Sequence, residues 1–171
     1  KTCEELPVYI PMSTNRFPAM KIYKLASEKI FNAVLENKTV VILCEGDPFF
    51  YGSFMYLFGL IRKRCNVEVI PGVSSLMASA AILETPLAAG NDILTVLPAP
   101  LADDALEKQI NMTDAFAIIK LGRHFSRIRR LLEKLGLLEN SVYIERATMK
   151  NERIVDIIDV VESDVPYFSI I

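Results

Sequence analysis

Thr39-Val40-Val41-Ile42-Leu43-Cys44-Glu45-Gly46-Asp47-Pro48 is the stretch on which the reading of this chain turns. Its first half is uncharged and rich in β-branched residues, and it stops abruptly at an acid, a glycine, an acid and a proline. A strand covered by helices on both faces has this composition. On its N-terminal side Ile22, Leu25, Ala26, Ile30, Ala33 and Val34 recur at helical spacing. An amphipathic helix is therefore expected over about 19–37. Ser13 to Asn15 offer capping side chains, Pro18 suits a first turn, and Asn37-Lys38 ends the helix. Pro7–Met12 reads as a short extended segment. On the C-terminal side a helix is expected over 51–64. It closes on Arg62-Lys63-Arg64, where cations suit a helix end. Val67–Ile70 is the next expected strand, and Pro71-Gly72-Val73-Ser74-Ser75 a turn capping an Ala-rich helix over 75–83. Helix and strand alternate through short links, as in βαβ units around a parallel sheet.

Thr85–Gly90 breaks the alternation and is the expected domain boundary, giving an N-terminal α/β domain over 1–88 and a C-terminal one over 89–171. In the second, strands are expected at 93–97, 115–120, 141–145 and 167–171, with a strand or turn at 152–156 and helices at 103–110 and 126–135.

Composition narrows the classes. The 171 residues are 51% hydrophobic and 23% charged, which is globular rather than disordered. Nineteen basic against 21 acidic residues leave a net charge of −2, so no basic excess attracts a polyanion. No apolar run approaches the roughly 18–20 residues of a membrane span. Cys3, Cys44 and Cys65 are too scattered for a disulfide scaffold or a cysteine-rich metal site, which favours a reducing, cytoplasmic setting. The chain opens Lys1-Thr2-Cys3, with neither Met nor a signal-peptide pattern, and reads equally as a fragment or a processed protein.

Ligands of open α/β sheets gather outside the carboxyl ends of strands. Two loops qualify. In Glu45–Gly52, Gly46 lets a ligand approach the backbone, and Asp47 either caps the next helix, which Pro48 starts, or holds a ligand's ammonium or hydroxyl. In Pro71–Ser75 a hydroxyl and main-chain N–H groups face a ligand, or simply make a capped turn. Neither loop has the spacing of a phosphate-binding P-loop or a dinucleotide fingerprint. His124 is the single histidine and no G-x-S-x-G elbow is present, so zinc and serine-triad chemistry are poor fits. Cys44 reads as a small packed hydrophobe rather than a reactive thiol. Arg123, Arg127, Arg129 and Arg130 form either a solvated helix face or a clamp for carboxylates. Glu145-Arg146 is an ion-paired loop or a ligand rim.

Five motifs in order resemble those of the tetrapyrrole (corrin/porphyrin) methylase family. They are Glu45-Gly46-Asp47-Pro48-x-x-Tyr51, Pro71-Gly72-Val73-Ser74-Ser75, Lys120-Leu121-Gly122-Arg123, Glu145-Arg146-Ala147-Thr148-Met149 and Pro166-Tyr167-Phe168-Ser169. The last three are most similar to the branch that methylates precorrin-2 at C-20. The resemblance spans essentially the whole chain. It implies two α/β domains: an N-terminal one with a parallel sheet, truncated at its start, and a C-terminal one with a mixed sheet. S-adenosylmethionine would lie in the cleft between them. By carry-over Gly46, Asp47, Ser74, Ser75, Leu121 and Ala147 would meet this donor, Leu121 largely through its main chain and Ala147 near the adenine. Tyr51, Arg123 and Arg146 would face the tetrapyrrole and its carboxylates. No metal, nucleic acid or membrane is implied, and a cytoplasmic homodimer is. The family opens with a strand and a Gly/Pro-rich loop that Lys1–Pro11 does not match, so by that comparison roughly 60 residues, the scale of βαβ units, are absent.

The rival readings keep the fold and change the substrate: another corrin ring position, a diphthamide precursor or a ribosomal RNA ribose. The near-neutral charge argues against RNA. A non-catalytic ligand-binding module and a structural partner domain are the readings from other classes.

Overall fold

Tyr23, Ala26 and Ile30 lie on one stripe of α1 (Phe17–Leu35) and are buried against Leu57 and Ile61 of α2 (Phe54–Ile61). This i, i+3, i+7 pattern facing an i, i+4 pair keeps Ala26 and Ile30 of the expected stripe, but Tyr23 joins it and Leu25, 58% exposed, and Val34, 37% exposed, fall outside it. Asn37 ends α1 in the left-handed region at φ 58°, and the N–H groups of Asn37 and Lys38 turn back to the carbonyls of Val34 and Ala33. The computed structural model describes residues 3–10 and 17–171. The capping residues expected at Ser13–Asn15, and Pro11 and Met12, lie outside them. The chain divides into two compact units, Lys1–Ser74 and Ser75–Ile171.

Two expectations for the first unit are corrected. Residues 39–44 and 67–70 join no strand ladder among the described residues. Their burial still alternates with the two-residue period of a pleated strand. Ile42 and Val67 lean on the α1–α2 core, while Val41 is 76% and Leu43 91% exposed. The reason is elementary: apolar patterning places side chains, but a strand also needs a neighbour's N–H and C=O groups. So the parallel sheet expected for the N-terminal domain is not formed among the described residues. The second correction is to α2, which is shorter than the expected 51–64. Tyr51 takes a left-handed φ of 55°, which keeps the Tyr51–Ser53 turn out of the helix. At the other end Arg64 and Cys65 fold back onto the carbonyl of Ile61.

The second unit contains α3 (Ser75–Ile82), β1 (Leu94–Pro98), α4 (Asp103–Ile110), β2 (Ala115–Ile119), α5 (Phe125–Lys134), β3 (Val142–Glu145), β4 (Arg153–Asp156) and β5 (Ser169–Ile170). The division after Ser74 assigns α3 here, whereas the sequence pattern puts the break after residue 88. The sheet order is β1-β2-β5-β3-β4, with β1 and β2 parallel and the other pairings antiparallel, so this sheet is mixed as expected. The last residues of the chain thus occupy the middle of the sheet, and Ile171 exchanges both backbone hydrogen bonds with Ile118.

Phe125, Ile128, Leu131 and Leu132 give α5 one wholly buried face. Its other face carries Arg127, Arg129 and Lys134, paired with Asp103, Glu162 and Glu107. Among the described residues no helix is long and apolar enough to cross a membrane.

Candidate functional site

In the first unit the two glycine loops are locked together. Asp47 Oδ1 accepts the N–H of Phe49 at 2.9 Å, and Oδ2 accepts the N–H of Gly72 at 3.0 Å. The Gly72 N–H, followed by that of Phe49, holds the Asp47 carboxyl below its ordinary range. Gly72 is required by space: a Cβ there would stand 2.3 Å from the carbonyl oxygen of Gly46. Gly46 itself is at φ 71°. The next helix, α2, begins only at Phe54, so Asp47 does not cap it as expected; its carboxylate instead caps the local turn at Phe49, with a second bond tying the loop to a segment 25 residues on. The carboxylate fixes loop geometry, and what the loops present to a ligand is chiefly backbone. Ser74 is buried, while exposed Ser75 opens α3 and its carbonyl accepts the Ser79 hydroxyl. Tyr51 is 44% exposed and packs edge-on against Phe50.

In the second unit the ends of β2 and β3 carry the other candidates. Lys120 and Gly122, both at positive φ, flank Leu121. Leu121 is fully buried in the core, and its carbonyl accepts the N–H of His124 at 2.8 Å. Arg123 is exposed, with Nε 3.4 Å from His124 Nε2. Burial, then the charges of Arg123 and Arg127, push the His124 imidazole below its ordinary pKa, so it is neutral at pH 7.

The loop after β3 is strained. Arg146 at φ 51° and Thr148 at φ 66° flank Ala147. Such conformations cost roughly 1–3 kcal/mol each and persist only where the surroundings impose them. Here the Arg146 N–H donates to the carbonyl of Phe168 at 2.8 Å, and the Thr148 N–H to Glu152 Oε2 at 2.6 Å. Glu145, 3% exposed, sits beneath the loop. Its carboxylate accepts from Tyr143 Oη at 2.6 Å, Arg146 Nη1 at 2.7 Å and Arg153 Nε at 3.0 Å. Burial opposes its charge, but the bonds from Arg153 and Tyr143 and the two guanidinium charges outweigh that and hold the carboxyl below its ordinary range. The same burial, with Glu145 as acceptor, pushes the Tyr143 phenol up. Among the described residues the N–H and C=O of half-buried Ala147 make no hydrogen bond.

The remaining sequence candidates resolve toward structure. Arg127 bonds Asp103 and the carbonyl of Ala99, and Arg129 bonds Glu162, so neither guanidinium is free to clamp a ligand. Burial raises the Cys44 thiol, as suits a packed, unreactive side chain. Sequence reasoning missed Tyr143, Glu152 and Arg153. One signal was present: Tyr143 and Glu145, two apart on a strand, share a face.

The sequence pattern of the tetrapyrrole (corrin/porphyrin) methylases matches residues 1–158. The chain belongs to this family. It is 37% identical to a precorrin-2 C(20)-methyltransferase of Sinorhizobium sp, over 98% of this chain and 71% of that protein. It is 34% identical to a probable cobalt-precorrin-2 C(20)-methyltransferase of Methanocaldococcus jannaschii, over 91% of this chain and 64% of that protein. Among solved structures, the uroporphyrin-III C-methyl transferase of Thermus thermophilus, complexed with S-adenyl homocysteine, superimposes with a TM-score of 0.56 at 23% identity. That match covers 84% of this chain and 70% of the Thermus chain, and it supports the methylase fold.

Proposed function

We propose that this methylase transfers a methyl group from S-adenosylmethionine to C-20 of precorrin-2, or of its cobalt-bearing counterpart, in cobalamin biosynthesis. The observation that carries the reading is the Asp47–Gly72 latch. It holds two glycine loops so that backbone, not side chain, is offered at Gly46, and the chain is 37% identical to a protein named for this reaction. The residues fit such a donor. An adenine edge is read by main-chain groups when no side chain intervenes, and Ala147 offers an unpaired N–H and C=O beside a small side chain.

When bound, the donor supplies a methyl group already activated on a sulfonium toward an electron-rich ring carbon, so no protein nucleophile is called for. The work left to the protein is orientation and proximity. Gly46, Asp47, Ser74 and Ser75 supply one set of contacts to the donor, and Leu121 and Ala147 the other. Asp47 acts by shaping its loop. Tyr51, Arg123 and Arg146 supply contacts to the tetrapyrrole, where guanidinium groups suit ring carboxylates. Arg123, exposed and bonded only weakly to His124, is the freest of these. The reading includes a cytoplasmic homodimer with no nucleic-acid partner, checked by sedimentation and by RNA filter binding at low salt.

The test is calorimetry with S-adenosylhomocysteine, followed by incubation with labelled S-adenosylmethionine and precorrin-2, with and without cobalt. Binding, a product heavier by one methyl group and weaker binding by Asp47→Ala are expected. Binding without transfer favours a non-catalytic module, and unchanged affinity in Asp47→Ala removes Asp47 from the site.

A further inference from the structure

The loop after β3 contains more restraint than a surface turn needs. Its two left-handed residues are an arginine and a threonine, and a β-branched residue at positive φ is a genuine outlier. Each is held from a different side, Arg146 by Glu145 and the carbonyl of Phe168, Thr148 by Glu152. The acid that holds Arg146 is itself almost wholly buried and takes further bonds from Tyr143 and Arg153. A buried carboxylate fixed by three donors is a rigid anchor, because leaving any of those groups unpaired in the interior is costly. Strain of this kind, imposed by a built network, concentrates at ligand-binding turns.

We propose that Glu145 is a positioning residue for the methyl donor. It holds the Arg146 side chain and, through it, the turn that keeps the Ala147 main chain open to the adenine. This rests on the proposed donor site above. It assigns Arg146 a structural tie, so the guanidinium need not reach the tetrapyrrole for its loss to matter. Arg153 completes the anchor: with it, two cations face one anion, and the carboxylate stays ionised in its buried position.

The test compares the protein with Glu145→Ala, Glu145→Gln, Arg146→Ala and Arg146→Gly. S-adenosylhomocysteine affinity is read by calorimetry, methyl transfer by steady-state kinetics, and the Thr148 amide by hydrogen exchange. In Glu145→Ala the dissociation constant is expected to rise about tenfold. The kinetic loss should fall on KM for the donor rather than on kcat, and the Thr148 amide should lose protection. Glu145→Gln, which keeps an acceptor, should recover part of the affinity and guards against a variant that fails to fold. Glycine adopts φ 51° without strain, so Arg146→Gly should lose less donor affinity than Arg146→Ala. The proposal is overturned if a folded Glu145→Ala binds like the parent, if the Thr148 amide stays protected, or if the two Arg146 variants lose equally. The last result would make the guanidinium a direct ligand contact. A parent protein that does not bind S-adenosylhomocysteine overturns the donor reading itself, while the exchange data still report on the anchor.

Discussion

Gly72→Ala is a one-methyl change with a large expected effect. The new Cβ would lie 2.3 Å from the Gly46 carbonyl oxygen, 3.0 Å from its carbon and 3.3 Å from Asp47 Cα. All three are backbone atoms, so no side chain can rotate aside. A relaxed carbon–oxygen contact is about 3.3 Å, so the two loops must part by about 1 Å. The Gly72 N–H, now 3.0 Å from Asp47 Oδ2, would move out of hydrogen-bond range. Overpacking of this kind costs about 1–3 kcal/mol, or a fall in Tm of roughly 2–12 °C for a chain of this size. A displacement of about 1 Å in a positioning loop can also cost up to a hundredfold in rate. The same substitution at Gly59, inside α2 with nothing within 4 Å of the new Cβ, should instead stabilise by about 0.5–1 kcal/mol. Thermal melts and S-adenosylhomocysteine calorimetry on both variants read the contrast. If Gly72→Ala melts with the parent and binds within twofold of it, the steric argument is refuted.

Tyr143→Phe removes a donor from buried Glu145 and should cost about 1.5–3 kcal/mol in urea unfolding; no change in midpoint would show that the anchor does not need it. His124 is held below its ordinary pKa, so the unfolded chain takes up its proton first as pH falls. The His124 contribution to stability is full above about pH 6.5 and declines below it, until the folded protein protonates as well. His124→Gln should flatten that part of the stability profile, measured by melts between pH 5 and 8. Leu132→Ala, at a fully buried position of α5, should cost about 2–5 kcal/mol by the same unfolding assay.

How much was legible differs between the two units for a physical reason. In the second unit most strand and helix positions agree with the pattern within a residue or two, because each apolar stripe there finds a partner. α5 is the clearest case, with Phe125, Ile128, Leu131 and Leu132 all inside. In the first unit the same kind of pattern at 39–44 yields alternating burial but no ladder, since pairing is a property of neighbours and not of the strand's own residues. The loop candidates were legible as glycine–proline punctuation. That Asp47 reaches Gly72 was not, because a contact across 25 residues leaves no local signal. For Arg127 and Arg129 a solvated face and a clamp stayed open together, because sequence shows their charge and hides Asp103 and Glu162, which neutralise it. The positive φ at Arg146 and Thr148 was invisible for the same reason: neither residue type announces it.

The order β1-β2-β5-β3-β4 has a kinetic side. β1 and β2 can pair as soon as both have been made, and so can β3 and β4. The two pairs become one sheet only when Ser169–Ile171 arrives between them. During synthesis, at about 5–20 residues per second, that closing segment is the last of this sheet's strands to leave the ribosome. Until then the inner edges of both pairs, with their unbonded N–H and C=O groups, stand open to any other extended chain nearby. The decisive step in folding of this unit therefore waits for its last strand, and the interval before it is when misassembly competes.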